Sequence, residues 1–488
     1  VGVFQVESRA QMATLPRIEP RTFADLVVEV AIIRPGPIQG GSVHPYIRRR
    51  QGLEAPDPPH PLLERALRKT LGVPLFQEQL MQIAIDAAGF TGAEADELRQ
   101  AMSAKRSGAR MARLRDRLFA GMAERGITGD VAEEIFAKLS AFSSFGFPES
   151  HAVSFAYLVY ASAWLKLHYP AAFCAALLNA QPMGFWAPQS LVADVRRHGV
   201  RVLRPHVNVS EAEASLEWET DGAGRAGAGR ADGASGADAG GAGGAAEGQP
   251  AIRIGLSMVR TIGDDLARRI AESRPYGSVE DLVRRTGIRR ASLEALATAG
   301  ALSGMPPRPG AKPAVDRRAL LWAAGALAQG TADRLPGLVT GTDAPPLPTL
   351  SAVDEVEADL WSTGMAVETS ALELARPELD RMGVVRAGAL HQANADSKVL
   401  VGGVVTHRQR PDSAKGTVFL NLEDETGMVN VICSPGAWQR WRHVARSAPA
   451  LLVRGRLERL DGVVSVVAER ISALELAVLA GPPSRDFR

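Results

Sequence analysis

The chain is poor in sulfur, in aromatic groups and in net charge. Its two cysteines, Cys174 and Cys433, stand far apart in 488 residues. They make neither a zinc-ligand spacing nor a disulfide framework, and they suit a reducing, cytoplasmic compartment. Aromatic residues are 5% of the chain and the formal net charge is +2, so any nucleic-acid surface must be local rather than general. No apolar run is long enough to span a bilayer, no secretory leader is evident, and no membrane partner is expected. No Asp-x-Asp sits on a strand edge where two metal ions could be held for phosphoryl transfer. No Ser, His and Asp fall in a nucleophile order. Neither a catalytic residue nor a metal ligand is therefore expected within these residues. Lysine is also scarce. Arginine supplies most of the 56 basic residues, which suits phosphate recognition as well as it suits a chain biased toward alanine, glycine and arginine.

What is present divides by pattern. At 46% hydrophobic and 23% charged the composition is that of an ordinary globular protein, and the length suits about three domains. Residues 1–6 read as a strand, so the chain is expected to begin inside a structural element, as a fragment would. Arg34-Pro-Gly-Pro37 cannot stay helical, because proline removes a backbone donor and restricts its predecessor. Apolar residues recur every three or four positions through 75–88, 93–102, 111–122, 131–142 and 154–168, which predicts helices. Residues 221–250 are nearly all Gly, Ala, Asp and Arg and cannot offset their ordering entropy by burial. Residues 305–360 are rich in Pro, Gly and Thr around one short helix at 317–328, and read as linker. From Lys398 onward the period changes to two. The runs 399–401, 403–405, 417–422, 428–432, 450–455 and 463–467 predict a small barrel of five short strands with a helix at 437–445.

Arg106, Arg110, Arg113 and Arg117 fall at steps of four, three and four, which is one face of a helix. Arg99 and Lys105 stand just ahead, near a helix start where backbone N–H groups also favour anions. Guanidinium groups pair with phosphate oxygens two at a time, although a solvated surface helix would show the same stripe. Ser150 and His151 open an apolar helix, either as an N-cap and first-turn histidine or as a polar pair that touches nucleotide or template. Residues 259–270, with Gly263 in the turn, and residues 296–302 resemble helix-hairpin-helix elements. Asp264 or Asp265 stands where a second glycine is expected, so phosphate contact and simple packing are both open. On the barrel, His407, Arg408, Arg410, Phe419, Trp438, Trp441 and Arg442 are the basic and aromatic groups available to a single strand. Trp438 and Trp441 stand three apart on one helix, which places one of them in the core.

Val3-Phe-Gln-Val-Glu-Ser-Arg9, Arg34-Pro-Gly-Pro37, Phe76-Gln-Glu-Gln-Leu-Met-Gln-Ile83, Ala95-Asp-Glu-Leu-Arg-Gln-Ala-Met102 and Gly146-Phe-Pro-Glu-Ser-His-Ala152 follow one another along the chain. In order and spacing they resemble the motifs of bacterial C-family DNA polymerase α subunits. Within that family the chain is similar to the error-prone, damage-inducible subtype. Glu149-Ser-His151 stands where the replicative type has Lys-Ser-His, and Asn421-Leu-Glu-Asp-Glu-Thr-Gly-Met428 and Ser484-Arg-Asp-Phe-Arg488 point the same way.

The resemblance implies a multidomain α+β fold. The end of a palm and the approach to the fingers would fill 1–50, and helical fingers 51–218. A flexible Gly/Ala-rich insertion would follow at 219–250, tandem helix-hairpin-helix elements at 251–304, a linker with short helices at 305–395 and a five-stranded OB-fold at 396–478. It implies a DNA-directed DNA polymerase, a nucleotidyltransferase of translesion synthesis, whose Mg2+ is held by palm aspartates that precede Val1. This piece alone would be inactive. Arg99, Lys105, Arg106, Ser150 and His151 would meet the incoming dNTP, with Gln100 where the family has a second arginine. Arg110, Arg113, Arg117, Gly263, Arg408, Arg410 and Phe419 would meet primer–template DNA. Accessory mutagenesis proteins and the sliding clamp are the expected protein partners. A replicative α subunit and a non-catalytic single-stranded DNA-binding protein are the rival readings.

Overall fold

The computed structural model describes residues 1–33, 43–58, 60–103, 108–143, 147–184, 186–218, 220–221, 225–226, 248–312, 316–329, 339–411, 414–460, 462–475 and 485–487. Arg34-Pro-Gly-Pro37, Lys105 and Arg106 lie outside them, as do nearly all of the Gly/Ala-rich insertion and the side chains of Arg110 and Arg113. Among the described residues no helix is long and apolar enough to cross a membrane. The chain divides into two compact units, one of Val3–Trp164 with Leu460–Val463, the other of Val1–Gly2, Leu165–Arg459 and Val464–Arg488. Residues 165–218, expected with the fingers, thus group with the second unit.

Helices build the first unit. α1 (Arg9–Ile18) starts where the Ser8 side chain accepts from the Gln11 N–H. α2 (Phe23–Ile32) starts at a reciprocal capping box between Thr22 and Asp25. With α3 (Val43–Arg50) they bury Ile18, Val28, Ile32 and Tyr46 in one core. A second core joins α4 (Gln77–Ala88), α5 (Gly92–Ser103), α6 (Gly108–Glu124) and α7 (Gly129–Ser143) through Leu80, Ile83, Leu118, Met122 and Ile135. Gly121 lets α6 close on α4, since a Cβ there would stand 1.9 Å from the Ala88 carbonyl oxygen. α8 (Glu149–His168) returns Ala152, Ala156 and Val159 to the first core. Residues 1–6 are not the expected strand. Gln5 takes φ +66° and the Val6 N–H closes on the Phe4 carbonyl at 2.8 Å, a tight turn that takes the segment out of any ladder.

The second unit opens with α9 (Pro170–Asn179) and α10 (Pro188–Arg197). They pack on a small sheet of β1 (Val202–Leu203), β2 (Ser215–Glu217) and β3 (Ala251–Arg253). β3 is central, parallel to β1 at Val202↔Ile252 and antiparallel to β2 at Leu216↔Ile252. α11 (Asp264–Glu272), α12 (Val279–Thr286) and α13 (Arg290–Thr298) follow. The expected linker does not behave as one throughout. Its α14 (Arg317–Leu327) buries Leu320, Ala324 and Leu327 in the hairpin core. α15 (Ala352–Thr363) and α16 (Ala371–Arg381) each start at a serine capping box. Gly364, φ +74°, ends α15, and Pro377 is accommodated inside α16.

The barrel follows. The two expected first runs are one strand, β4 (Lys398–Gln409). β5 (Val418–Glu423), β6 (Met428–Cys433), β7 (Ala450–Leu460) and β8 (Val463–Ala473) complete it, with α17 (Pro435–Ser447) after the third strand. The order is β4-β5-β6-β8-β7, closed by antiparallel β4–β7 pairing at Val401↔Val453 and with β6 parallel to β8 at Val431↔Val466. A five-stranded closed barrel in this order is an OB-fold. A short β9 (Arg485–Phe487) adds to β4 in parallel.

Candidate nucleic-acid interface

Two of the finger motifs meet. Phe76 and Phe147 form a parallel β-bridge, and the Gln77 N–H donates to the Phe147 carbonyl at 3.0 Å. Gln79 is buried and fully used: Oε1 accepts from the N–H groups of Leu75 and Phe76, and Nε2 donates to Ala66 O and Thr70 Oγ1. It fixes the turn into α4. The start of α8 is tied to the same place. Lys69 Nζ donates to Glu149 at 2.6 Å and the Glu149 N–H donates to Glu78 Oε2 at 2.9 Å. Just beyond, Ser150 is exposed, and the exposed His151 ring packs 5.0 Å from Phe147, edge to face, and 4.2 Å from Phe155. His151 is thus held by its rings with its edge open to solvent.

Arg99 lies on α5 against Asp96, Nη2 to Oδ1 at 2.7 Å. Gln100 donates to the other oxygen of that carboxylate at 2.7 Å. Hydrogen bonds from Arg99 first and Gln100 second hold the Asp96 carboxyl below its usual value. Arg117, expected on the DNA-facing stripe, is half-exposed and engaged within the fold. Nε pairs with Glu94 at 3.0 Å, Nη1 and Nη2 donate to the carbonyls of Ala88 and Gly89, and the guanidinium lies over the Phe90 ring. The end of α4 leaves carbonyls without intrahelical donors, and Arg117 supplies them.

In the hairpin region Gly263 is the N-cap of α11, and the first turn carries Asp264 and Asp265, which oppose an anion at a helix N-terminus. The run 296–302 is no separate hairpin. It ends α13 and turns at Gly300, φ +74°, into the buried Ala301 and Leu302. The better hairpin lies between α12 and α13 and escaped the sequence reading. Gly287, φ +62°, ends α12, Ile288 is buried, and Arg289 and Arg290 are exposed where α13 begins without a side-chain cap. A glycine and an apolar residue between two amphipathic runs was its signal.

On the barrel a bulge between Val405 and His407 adds a residue to β4, after which His407 stands opposite Asn421 and Arg408 opposite the core residue Leu420. The buried His407 packs edge to face on Trp186 at 4.9 Å. Arg408, expected among the DNA-binding residues, is buried too: Nε donates to Ala445 O at 2.8 Å and Nη2 to Ala448 O at 2.6 Å. It caps the C-terminus of α17. Arg410 stays exposed and Phe419 half-buried. Trp438 and Trp441 both pack against the barrel core. At the far end of β5, Glu423 accepts from both Nη groups of Arg197 at 3.1 Å and from Ser190 Oγ at 2.9 Å. Burial pushes its carboxyl above the ordinary value even with Arg197 beside it.

Three family models match this chain: the bacterial DNA polymerase III alpha subunit finger domain over residues 1–126, a helix-hairpin-helix motif over 199–310 and an OB-fold nucleic acid binding domain over 399–474. Fold and matches together define a nucleic-acid-handling chain of the bacterial DNA polymerase III alpha-subunit class. Over its full length it is 57% identical to the error-prone DNA polymerase of Nocardia farcinica, covering 40% of that protein. It is 54% identical to that of Mycolicibacterium paratuberculosis, covering 42%, and 53% identical to that of Mycobacterium tuberculosis, covering 41%. Along its whole length the chain is thus similar to error-prone DNA polymerases, and it spans about two fifths of the length of these curated relatives. Among the described residues no cluster of three or more His, Cys, Asp or Glu could hold a metal ion.

Proposed function

We propose that the chain is the fingers, hairpin and OB-fold part of an error-prone DNA-directed DNA polymerase acting in translesion synthesis and damage-induced mutagenesis. Its match along the whole chain to error-prone DNA polymerases carries this reading, and the meeting of the two finger motifs at Phe76 and Phe147 supports it. On this reading Ser150 and His151 face the nascent base pair. Arg99 exchanges Asp96 for the triphosphate, assisted by Lys105 and Arg106. Arg110, Arg113, Gly263, the Gly287 turn, Arg410 and Phe419 lie along primer–template DNA. Clamp and accessory proteins act on the whole polymerase.

Fluorescence anisotropy of this chain on a labelled primer–template, repeated across salt concentrations, tests the DNA grip. Affinity that falls steeply with salt is expected, because each gripped phosphate releases counterions. Absence of binding at low salt, or primer extension by the chain alone, would falsify the reading. Translesion activity is tested on the full-length polymerase, which should extend past an abasic template site where a replicative enzyme stalls.

A further inference from the structure

The barrel's own helix presents cations that no partner among the described residues takes up. α17 packs inward through Trp438, Trp441, Val444 and Ala445. Outward it exposes Arg440, Arg442, His443 and Arg446. At 3.6 residues per turn these four lie within about 160° of the helix circumference. The helix sequence, Pro-Gly-Ala-Trp-Gln-Arg-Trp-Arg-His-Val-Ala-Arg-Ser, holds no acidic residue. None of its three arginines has an ion-pair partner among the described residues. Of the strands beneath, β6 carries no charged residue. β8 brings Glu469, whose carbonyl accepts from Trp441 Nε1 and whose carboxylate is engaged by Lys398 at 3.3 Å. The strand side of the barrel differs. Its β5 end is closed by Arg197 and Ser190 on Glu423, His407 lies against Trp186, and Arg408 is spent on capping α17 itself.

We infer that the outer face of α17 is a phosphate-tracking surface, along which the phosphodiester backbone of DNA runs. This rests on the reading of the barrel as a DNA-binding module. From Arg440 to Arg446 the helix advances about 9 Å at 1.5 Å per residue, which faces two to three phosphates at roughly 3.4 Å of axial spacing per strand. Guanidinium groups bind such oxygens in bidentate pairs, and no carboxylate on the helix repels them.

The test uses the whole chain with labelled oligo-dT and a labelled duplex of equal length, read by anisotropy across salt. R440Q/R442Q/R446Q removes the charge and keeps good helix formers, and its far-ultraviolet circular dichroism should match the parent chain. The inference expects at least a tenfold loss of affinity for oligo-dT and a salt slope shallower by about 2, at ~0.7 per phosphate contact for a single strand. Loss on oligo-dT alone assigns the surface to single-stranded template, and equal loss on both assigns it to either form of DNA. Unchanged affinity and slope in the triple variant, with binding weakened by Phe419→Ala, overturns the helix path and leaves DNA binding by the barrel standing. A parent chain that binds neither probe at low salt overturns the underlying reading together with this inference.

Discussion

Glu29 lies wholly inside the α1–α3 core, and neither of its carboxylate oxygens has a hydrogen-bond partner among the described residues. Burial pushes its carboxyl from 4.5 up to about 8, so the folded protein holds a proton there that the unfolded chain releases. A raised acid contributes stability that is fully present below about 4.5, is lost as pH rises toward about 8, and stays lost above that. The urea midpoint of the first unit should therefore fall between pH 5 and 8 in the parent chain, and fall less in Glu29→Gln. Parallel curves would mean that Glu29 finds a partner in solution. Gly121 makes a steric prediction at the same scale. The Ala88 carbonyl leaves no room for a methyl group, so Gly121→Ala should cost about 3 kcal/mol, seen as a lower unfolding midpoint. In the full-length polymerase Arg99→Ala should raise the KM for dNTP about tenfold, since a charge-assisted contact is worth roughly 1.5–3 kcal/mol. An unchanged KM removes Arg99 from the site.

At the scale of elements, arginines decide where helices end. Arg117 serves the last carbonyls of α4 and Arg408 those of α17. Both had the spacing of surface cations in the sequence. Arg408→Ala should lower barrel stability by about 1–3 kcal/mol, because it takes the donor from the buried Ala445 carbonyl and the half-buried Ala448 carbonyl. DNA affinity measured well below the melting temperature should hardly move. A large loss of affinity at unchanged stability would put Arg408 back on the DNA. Helix periods and strand alternation were legible residue by residue, whereas the serine caps of α15 and α16 emerge only in the fold. The bulge in β4 was not, because a bulge depends on the partner strand.

Across the second unit, charge pairs far apart in sequence tie the parts together. Arg204 and Arg317 converge on the buried Asp359, at 3.2 and 2.8 Å. Arg197 and Ser190 hold Glu423. Arg376 reaches Glu425 at 2.7 Å and Asp424 at 3.4 Å. The run 421–428, which resembles the error-prone subtype, thus docks the barrel onto α10 and α16. Glu423→Ala should cost about 3–5 kcal/mol by stranding Arg197, and limited proteolysis should then release the barrel sooner. Unaltered digestion would show that the apolar contacts alone hold it.

The sequence by itself determined the helical fingers, the hairpin region, the five barrel strands with their helix, and the family resemblance. Each rests on local periodicity, on turn residues or on motifs contiguous in the chain. The tertiary structure alone decided which arginines face solvent and which cap helices, that Gly287 rather than residues 296–302 makes the second hairpin, and that 317–327 is core rather than linker. Those outcomes depend on which carbonyl, ring or carboxylate a distant segment brings within reach, and spacing along one chain carries no record of that.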